Sequence, residues 1–252
     1  MKKVKALLII VAAVVAGIVI LVGAVFLKAR LEQKKMHPLV TSRLAENVYT
    51  IHDGIVNMYL VKDSDVYIAI DAGTDKIAVK EGLKQLKIDS SKVVSVLLTH
   101  TDFDHVAALS LFPKATLRFS KAEEQLINGS TTRSFGITHN KIDRTQYTLI
   151  NDGETFTIGH LKVRTILTPG HTPGSMCYLI NDRYLFVGDA LSLKNDKVAP
   201  FNKFFNRDTD QAIQSISKIA GLSGVDYLFT AHYGYGNYNK AVKEWPKETS
   251  SK

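Results

Sequence analysis

Seven residues that can bind a metal ion follow the ends of four apolar runs. After 93–98 comes Thr99-His100-Thr101-Asp102-Phe103-Asp104-His105, after 161–167 Thr168-Pro169-Gly170-His171, after 184–187 Gly188-Asp189, and after 227–230 Ala231-His232. Each run reads as a buried strand that releases His or Asp into a loop, and sites in sheet proteins gather at such strand ends. Imidazole and carboxylate are the ligands zinc takes where thiolate is absent. The chain has one cysteine, Cys177, which excludes a site built on two thiolates and an intramolecular disulfide framework. A lone loop histidine is ordinarily a surface or core residue, the reading given to His37, His52, His139 and His160. Four Asp/His residues within six positions, followed by three more at strand ends, point instead to a metal centre.

The elements that must hold these residues follow from periodicity and punctuation. Strands are expected over 48–51, 58–61, 66–70, 93–98, 155–158, 161–167, 175–180, 184–187 and 227–230, separated by Asp-Gly and Asp-Ser-Asp turns. Helices are expected over 77–86, over 106–111 before Pro113, and from an Asp208 cap to 222 with Ala212, Ile213, Ile216, Ile219 and Ala220 on one face. Ser120 and Glu123 read as a capping box for a helix reaching 127. Residues 128–147 are polar and irregular and read as a loop or insertion. Strands in two batches, each followed by helices, give an α+β chain with an αββα sandwich.

With these residues in place, the chain resembles the metallo-β-lactamase-fold hydrolases, a family that includes glyoxalase II and the acyl-homoserine lactonases. Their signature runs H-x-H-x-D-H, then a His in a Pro-Gly-His turn, a bridging Asp and a final His. Here it reads His100-x-Asp102-x-Asp104-His105, then His171, Asp189 and His232, and Ile70-Asp71-Ala72-Gly73 resembles the family's strand-end Asp-x-Gly. The resemblance covers roughly 44–240 and implies the αββα fold with two divalent ions, usually zinc. It assigns His100 and His171 to one ion, Asp104, His105 and His232 to the other, and Asp189 to both. Two such ions would lower the pKa of a shared water from about 15.7 towards 7, with Asp104 to orient the hydroxide and accept its proton. Ester, thioester or lactone cleavage, and also phosphodiester cleavage, would suit this device. The resemblance further allows a metal-binding but catalytically idle sensor or scaffold, and an iron-dependent sulfur dioxygenase. Iron in a single site against paired zinc separates the last from the hydrolase.

The departures matter. Asp102 stands where the family has a second His, so it is expected either to bind the first ion directly or through water, or to hydrogen-bond a ligand His from behind. Iron or manganese then becomes less foreign to that first position. Asp189 occupies a position where many β-lactamases of this fold place cysteine, so β-lactam hydrolysis is not expected, and Cys177 reads as an inert core thiol. Ala107-Ala108, where many members have glycine, reads as a packing change. Phe201, Phe204, Phe205, Asn206, Tyr233, Tyr235 and Tyr238 are the candidate contacts for a small-molecule or lipid-like substrate.

Residues 6–27 carry no charged or strongly polar side chain, and as a helix they would cover about 33 Å, enough for a bilayer core of about 30 Å. This predicts a single-pass anchor or signal sequence over 1–27, a juxtamembrane linker over 28–43, the hydrolase-like domain over 44–240 and a tail over 241–252. An uncleaved anchor in the cell membrane with the domain outside is the expected arrangement. The net charge is +8, but seven of the 32 basic residues and one of the 24 acidic ones lie in 1–35. The remainder is nearly balanced, at 25 basic against 23 acidic, so no nucleic-acid partner is expected.

Overall fold

A computed structural model describes residues 2–133 and 138–246, in two units, one ending at Met36 and one beginning at His37. The first unit is α1 (Lys2–Gln33), a helix long and apolar enough to cross a membrane. Leu7, Leu8, Ile9, Val14, Ile18 and Leu21 are all exposed on it. A helix apolar on every face needs an apolar surround.

The second unit is built on two sheets. The first has the order β1 (Ser42–Arg43), β2 (Val48–Asp53), β3 (Val56–Asp63), β4 (Val66–Ile70), β5 (Val93–Leu97), β6 (Thr116–Ser120) and β7 (Thr148–Ile150), antiparallel up to β4 and parallel beyond it. The helices α2 (Lys76–Gln85), α3 (Phe103–Val106) and α4 (Glu124–Ile127) lie within its connections. The second sheet takes β8 (Thr155–Ile158), β9 (Leu161–Leu167), β10 (Met176–Ile180) and β11 (Tyr184–Gly188) as an antiparallel meander. A hairpin, β12 (Ser192–Lys194) and β13 (Lys197–Ala199), and α5 (Thr209–Ala220) then lead to β14 (Tyr227–Thr230), which pairs parallel to β11. β15 (Tyr235–Asn237) pairs with β14, and α6 (Tyr238–Val242) follows.

Three apolar layers make this a four-layer αββα sandwich. Val48, Tyr59, Ile68, Leu97, Tyr178, Phe186 and Phe229 fill the space between the sheets. Val79 and Leu83 of α2 seal the outer face of the first sheet against Ile51 and Leu60. Ile216 and Ile219 of α5 seal the second against Leu179, Leu185 and Leu228. The all-buried runs β10 and β11 have no polar alternation because both their faces are covered.

The expected strands all form, with ends displaced by at most two residues, and α2 and α5 start on Asp75 and Asp208 caps. Two expectations are corrected. The helix over 106–111 is instead α3, which starts earlier and carries Asp104 and His105, followed by a 3-10 turn over Leu109–Leu111. It stops because the amides of Ala107 and Ala108 donate to the carbonyls of Gly73 and Ala72 rather than back along a helix. Asp104 and His105 therefore lie on a helical turn, with Asp102 the residue before it.

The capping box does not form either. Ser120 Oγ accepts from the Ala122 amide, while Glu123 turns inward and is fully buried. Its Oε1 accepts from the amide and hydroxyl of Thr101, and its Oε2 from the Thr172 hydroxyl and the Gly174 amide. One carboxylate thus ties the loop after β5 to the loop after β9, and four donors compensate the burial that pushes its pKa up. β1, β6, β7, the β12–β13 hairpin, β15 and α6 are additional elements. Of the tail expected over 241–252, Trp245 packs on the α5 core and 247–252 lie outside the described residues. Glu123→Ala would leave several buried donors unmet and should cost at least about 3 kcal/mol in urea unfolding. A loss within about 0.5 kcal/mol would show that the tie carries no weight.

Candidate metal centre

The parallel pairs β4/β5 and β11/β14 both end at the same edge of the sandwich, and their C-terminal loops meet there. Hydrogen bonds across the sheets pin these loops. Tyr59 Oη donates to the Thr230 carbonyl at 2.6 Å, Tyr178 Oη to the Leu98 carbonyl at 2.7 Å, and the Met176 amide to the Thr99 carbonyl at 2.8 Å. Gly188 has φ 53°, and a Cβ there would collide with the Thr99 side chain, so only glycine lets the β11 end turn into Asp189 beside the β5 loop.

Six of the seven expected ligands fall into two buried groups, His100 with His171 and Asp189, and Asp104 with His105 and His232. Asp189 belongs to both by geometry. Its Oδ1 lies 3.2 Å from His232 Nε2 and 3.7 Å from His105 Nε2, and its Oδ2 lies 3.4 Å from His171 Nε2 and 4.0 Å from His100 Nε2. Asp104 Oδ2 closes the second group at 3.5 Å from His232 Nε2 and 3.8 Å from His105 Nε2. Ligands at zinc bond lengths in a tetrahedron are spaced about 3.3–3.5 Å apart. His100 Nε2, His105 Nε2 and Asp189 Oδ1 are buried with no hydrogen-bond partner. Orphaned imidazole nitrogens and a carboxylate oxygen converging in this way fit a divalent cation.

Each imidazole is aimed from behind. His105 Nδ1 meets Asp71 Oδ2 at 2.9 Å, and Asp71 Oδ1 accepts from the Thr99 amide at 2.7 Å. His232 Nδ1 faces the Ile55 carbonyl, His100 Nδ1 the Thr99 hydroxyl and His171 Nδ1 the Asn206 amide oxygen. These partners turn all four Nε2 atoms inward.

Asp102 lies at the first group but does not join it as a free ligand. Its Oδ2 is 3.2 Å from His171 Nε2 and 3.7 Å from His100 Nε2. Arg133 Nε donates to both its oxygens, at 2.8 and 2.9 Å, and Asn140 Nδ2 donates to Oδ1 at 2.9 Å. Glu123, Arg133 and Asn140 escaped sequence reading. Arg133 and Asn140 come from the irregular 128–147 stretch, where no pattern marks one polar residue above another. Phe201 lies 5.0 Å from the His171 ring and 5.8 Å from that of His232, with Phe205 and Tyr233 beside it. Tyr235 stacks on Phe229 and Tyr238 is core, its hydroxyl on the Ile219 and Leu222 carbonyls, so these two are packing residues. Cys177 is buried in β10 and burial pushes its thiol up to about 12, an inert group.

The buried carboxylates and imidazoles shift one another's protonation. Burial, then the neighbouring His105, holds His100 well below its ordinary value. Burial would also depress His105, but Asp71, Asp104 and Asp189 outweigh it and push it up to about 10. His232 is likewise raised, its burial outweighed by Asp189. Burial would raise Asp189, but His232, His105 and His171 hold it below the usual carboxylate range. Protons on imidazoles thus supply the positive charge that a metal ion would supply instead.

Residues 52–232 match the family model described as the metallo-beta-lactamase superfamily. The chain is 33% identical over 129 residues to a probable polyketide biosynthesis zinc-dependent hydrolase, BaeB, of Bacillus velezensis, over 49% of each chain. It thus spans about half the length of that relative. It is 26% identical over 186 residues to a hydroxyacylglutathione hydrolase of Idiomarina loihiensis, covering 73% of this chain and 64% of that one. Its fold matches that of a B3 metallo-beta-lactamase with an active-site glutamic acid at TM-score 0.64 and 19% identity, over 86% of this chain and 90% of the other.

The shift on His105 has a sign that can be tested. A folded value near 10 against an ordinary 6.5 gives stability that is complete below about pH 6.5 and lost as pH rises through about 10. Thermal melts of metal-free protein should fall over that window and those of zinc-loaded protein should not. Parallel curves would mean that His105 does not hold the proton that a metal displaces.

Proposed function

We propose that this chain, which belongs to the metallo-beta-lactamase superfamily, is a zinc-dependent hydrolase of an ester, thioester or lactone. The observation that carries this reading is Asp189, one buried carboxylate with each oxygen turned to a different pair of imidazoles. Its two ligand sets provide for up to two divalent ions. Divalent zinc, when bound, supplies a Lewis acid and acidifies water towards neutral pH.

The chain's own residues do the rest. Asp71, Thr99, Asn206 and the Ile55 carbonyl hold the imidazoles so that no reorganisation accompanies reaction. Asp104 Oδ2 is the carboxylate placed to orient the attacking water and take its proton. The water oxygen bonds to the acyl carbon, the bond to the leaving alkoxide or thiolate breaks, and the proton held on Asp104 passes to that leaving group. Phe201, Phe205 and Tyr233 form an apolar wall beside the imidazoles, which suits an acyl or lipid-like substrate. α1 would tether such an enzyme to the cell membrane, with the domain outside.

Chelation should abolish turnover on a panel of ester, thioester and lactone substrates, and zinc should restore it. Asp189→Ala should lose bound metal and activity together, and Asp104→Asn should lower kcat by at least about 100-fold. Full activity after exhaustive chelation, or an unchanged metal content in Asp189→Ala, would contradict the reading. The tether is tested apart from the chemistry: full-length protein should stay with membranes through carbonate extraction, and recovery in the soluble fraction would remove it.

A further inference from the structure

The first ligand group already contains a cation. The Arg133 guanidinium, mostly buried, places Nη2 2.8 Å from Asp102 Oδ2, 2.8 Å from the Phe205 carbonyl oxygen and 3.2 Å from His171 Nε2, with Nε on both Asp102 oxygens. With Nδ1 facing the Asn206 amide oxygen, His171 Nε2 is the acceptor for the Nη2 proton. The second group differs. His105 Nε2 and Asp189 Oδ1 face each other's region with no hydrogen-bond partner. In the first group His100 Nε2 alone is left in that state.

We infer that Arg133 holds the place of the first metal ion, so that the protein binds a single divalent ion in the Asp104, His105, His232 and Asp189 set. This rests on the metallohydrolase reading above and refines it. A dication among His100, His171 and Asp189 would stand against the guanidinium, and like charges a few Å apart in a buried site exclude one another. It would also need the His171 lone pair, which Arg133 engages. The pair is held in place from several sides. Asn140 Nδ2 bridges Asp102 Oδ1 and the Thr101 hydroxyl at 2.9 Å each, and the Arg133 amide donates to the Thr138 carbonyl at 2.7 Å. Arg133 is thus a positioning residue that sets metal number. Its partner Asp102 replaces a ligand His because a carboxylate, unlike imidazole, can neutralise the guanidinium.

Metal counting on the full-length protein tests this. After equilibration with excess zinc and gel filtration, mass spectrometry should find one ion per chain in the wild type and two in Arg133→Met. The affinity for the second ion should rise by on the order of 10–100-fold in that variant. Two ions in the wild type, or one in an Arg133→Met variant that melts like the wild type, would overturn the inference. Should Arg133→Met fail to fold, cobalt titration of the wild type decides. Visible absorption should saturate at one equivalent, and saturation at two would overturn the inference while leaving the hydrolase reading standing. No bound ion at all would overturn both.

Discussion

Asp189 imposes the constraint on which the rest of the site depends. It is a carboxylate buried at the end of β11 with imidazole nitrogens on two sides. Burying it beside Asp104 is costly unless positive charge faces both carboxylates. Raised imidazoles at His105 and His232 answer that charge. The sandwich then reads as a device for bringing one carboxylate to four rings. Two sheets deliver their parallel strand ends to one edge, and the Tyr59 and Tyr178 hydroxyls lock each sheet to the other two residues before a ligand. Glu123 adds a tie beneath the loops that carry His100 and His171.

Against this frame the two halves of the site are chemically unequal. The second half has two imidazoles and two carboxylates with acceptors left open. The first half has its carboxylate, Asp102, neutralised by Arg133 and its His171 engaged. The difference arises from a single substitution in the ligand motif together with an arginine about 30 residues later in a loop with no regular structure. Such an exchange leaves the net charge of the side chains unchanged while removing an open coordination position. The reacting group would then meet one Lewis acid beside an organic cation, with the apolar wall of Phe201 and Tyr233 on one side.

Much of this was legible in the chain. Uninterrupted apolar runs such as those of β10 and β11 announce strands covered on both faces, and each ligand-bearing loop follows a strand, so strand ends and ligands could be read together. Local patterns failed where tertiary partners took over. Glu123 follows Ser120 at capping-box spacing, yet donors from Thr101, Thr172 and Gly174, distant in sequence, draw it inward. Asp104 and His105 fall on a single helical turn too short for any periodicity, ended by backbone bonds to the β4 loop. Asp102 was visible as a departure from the family motif, but its meaning was not, since Arg133 reaches it across 31 positions. Ion pairs of that span leave no trace in a single sequence.

The most direct test is a crystal of the zinc-equilibrated full-length protein with diffraction recorded on both sides of the zinc absorption edge. One anomalous peak is expected, about 2.0–2.2 Å from the Nε2 atoms of His105 and His232 and from carboxylate oxygens of Asp104 and Asp189, with the Arg133 guanidinium between Asp102 and His171. An anomalous peak on the His100 and His171 side, or none beside His105 and His232, would contradict this arrangement.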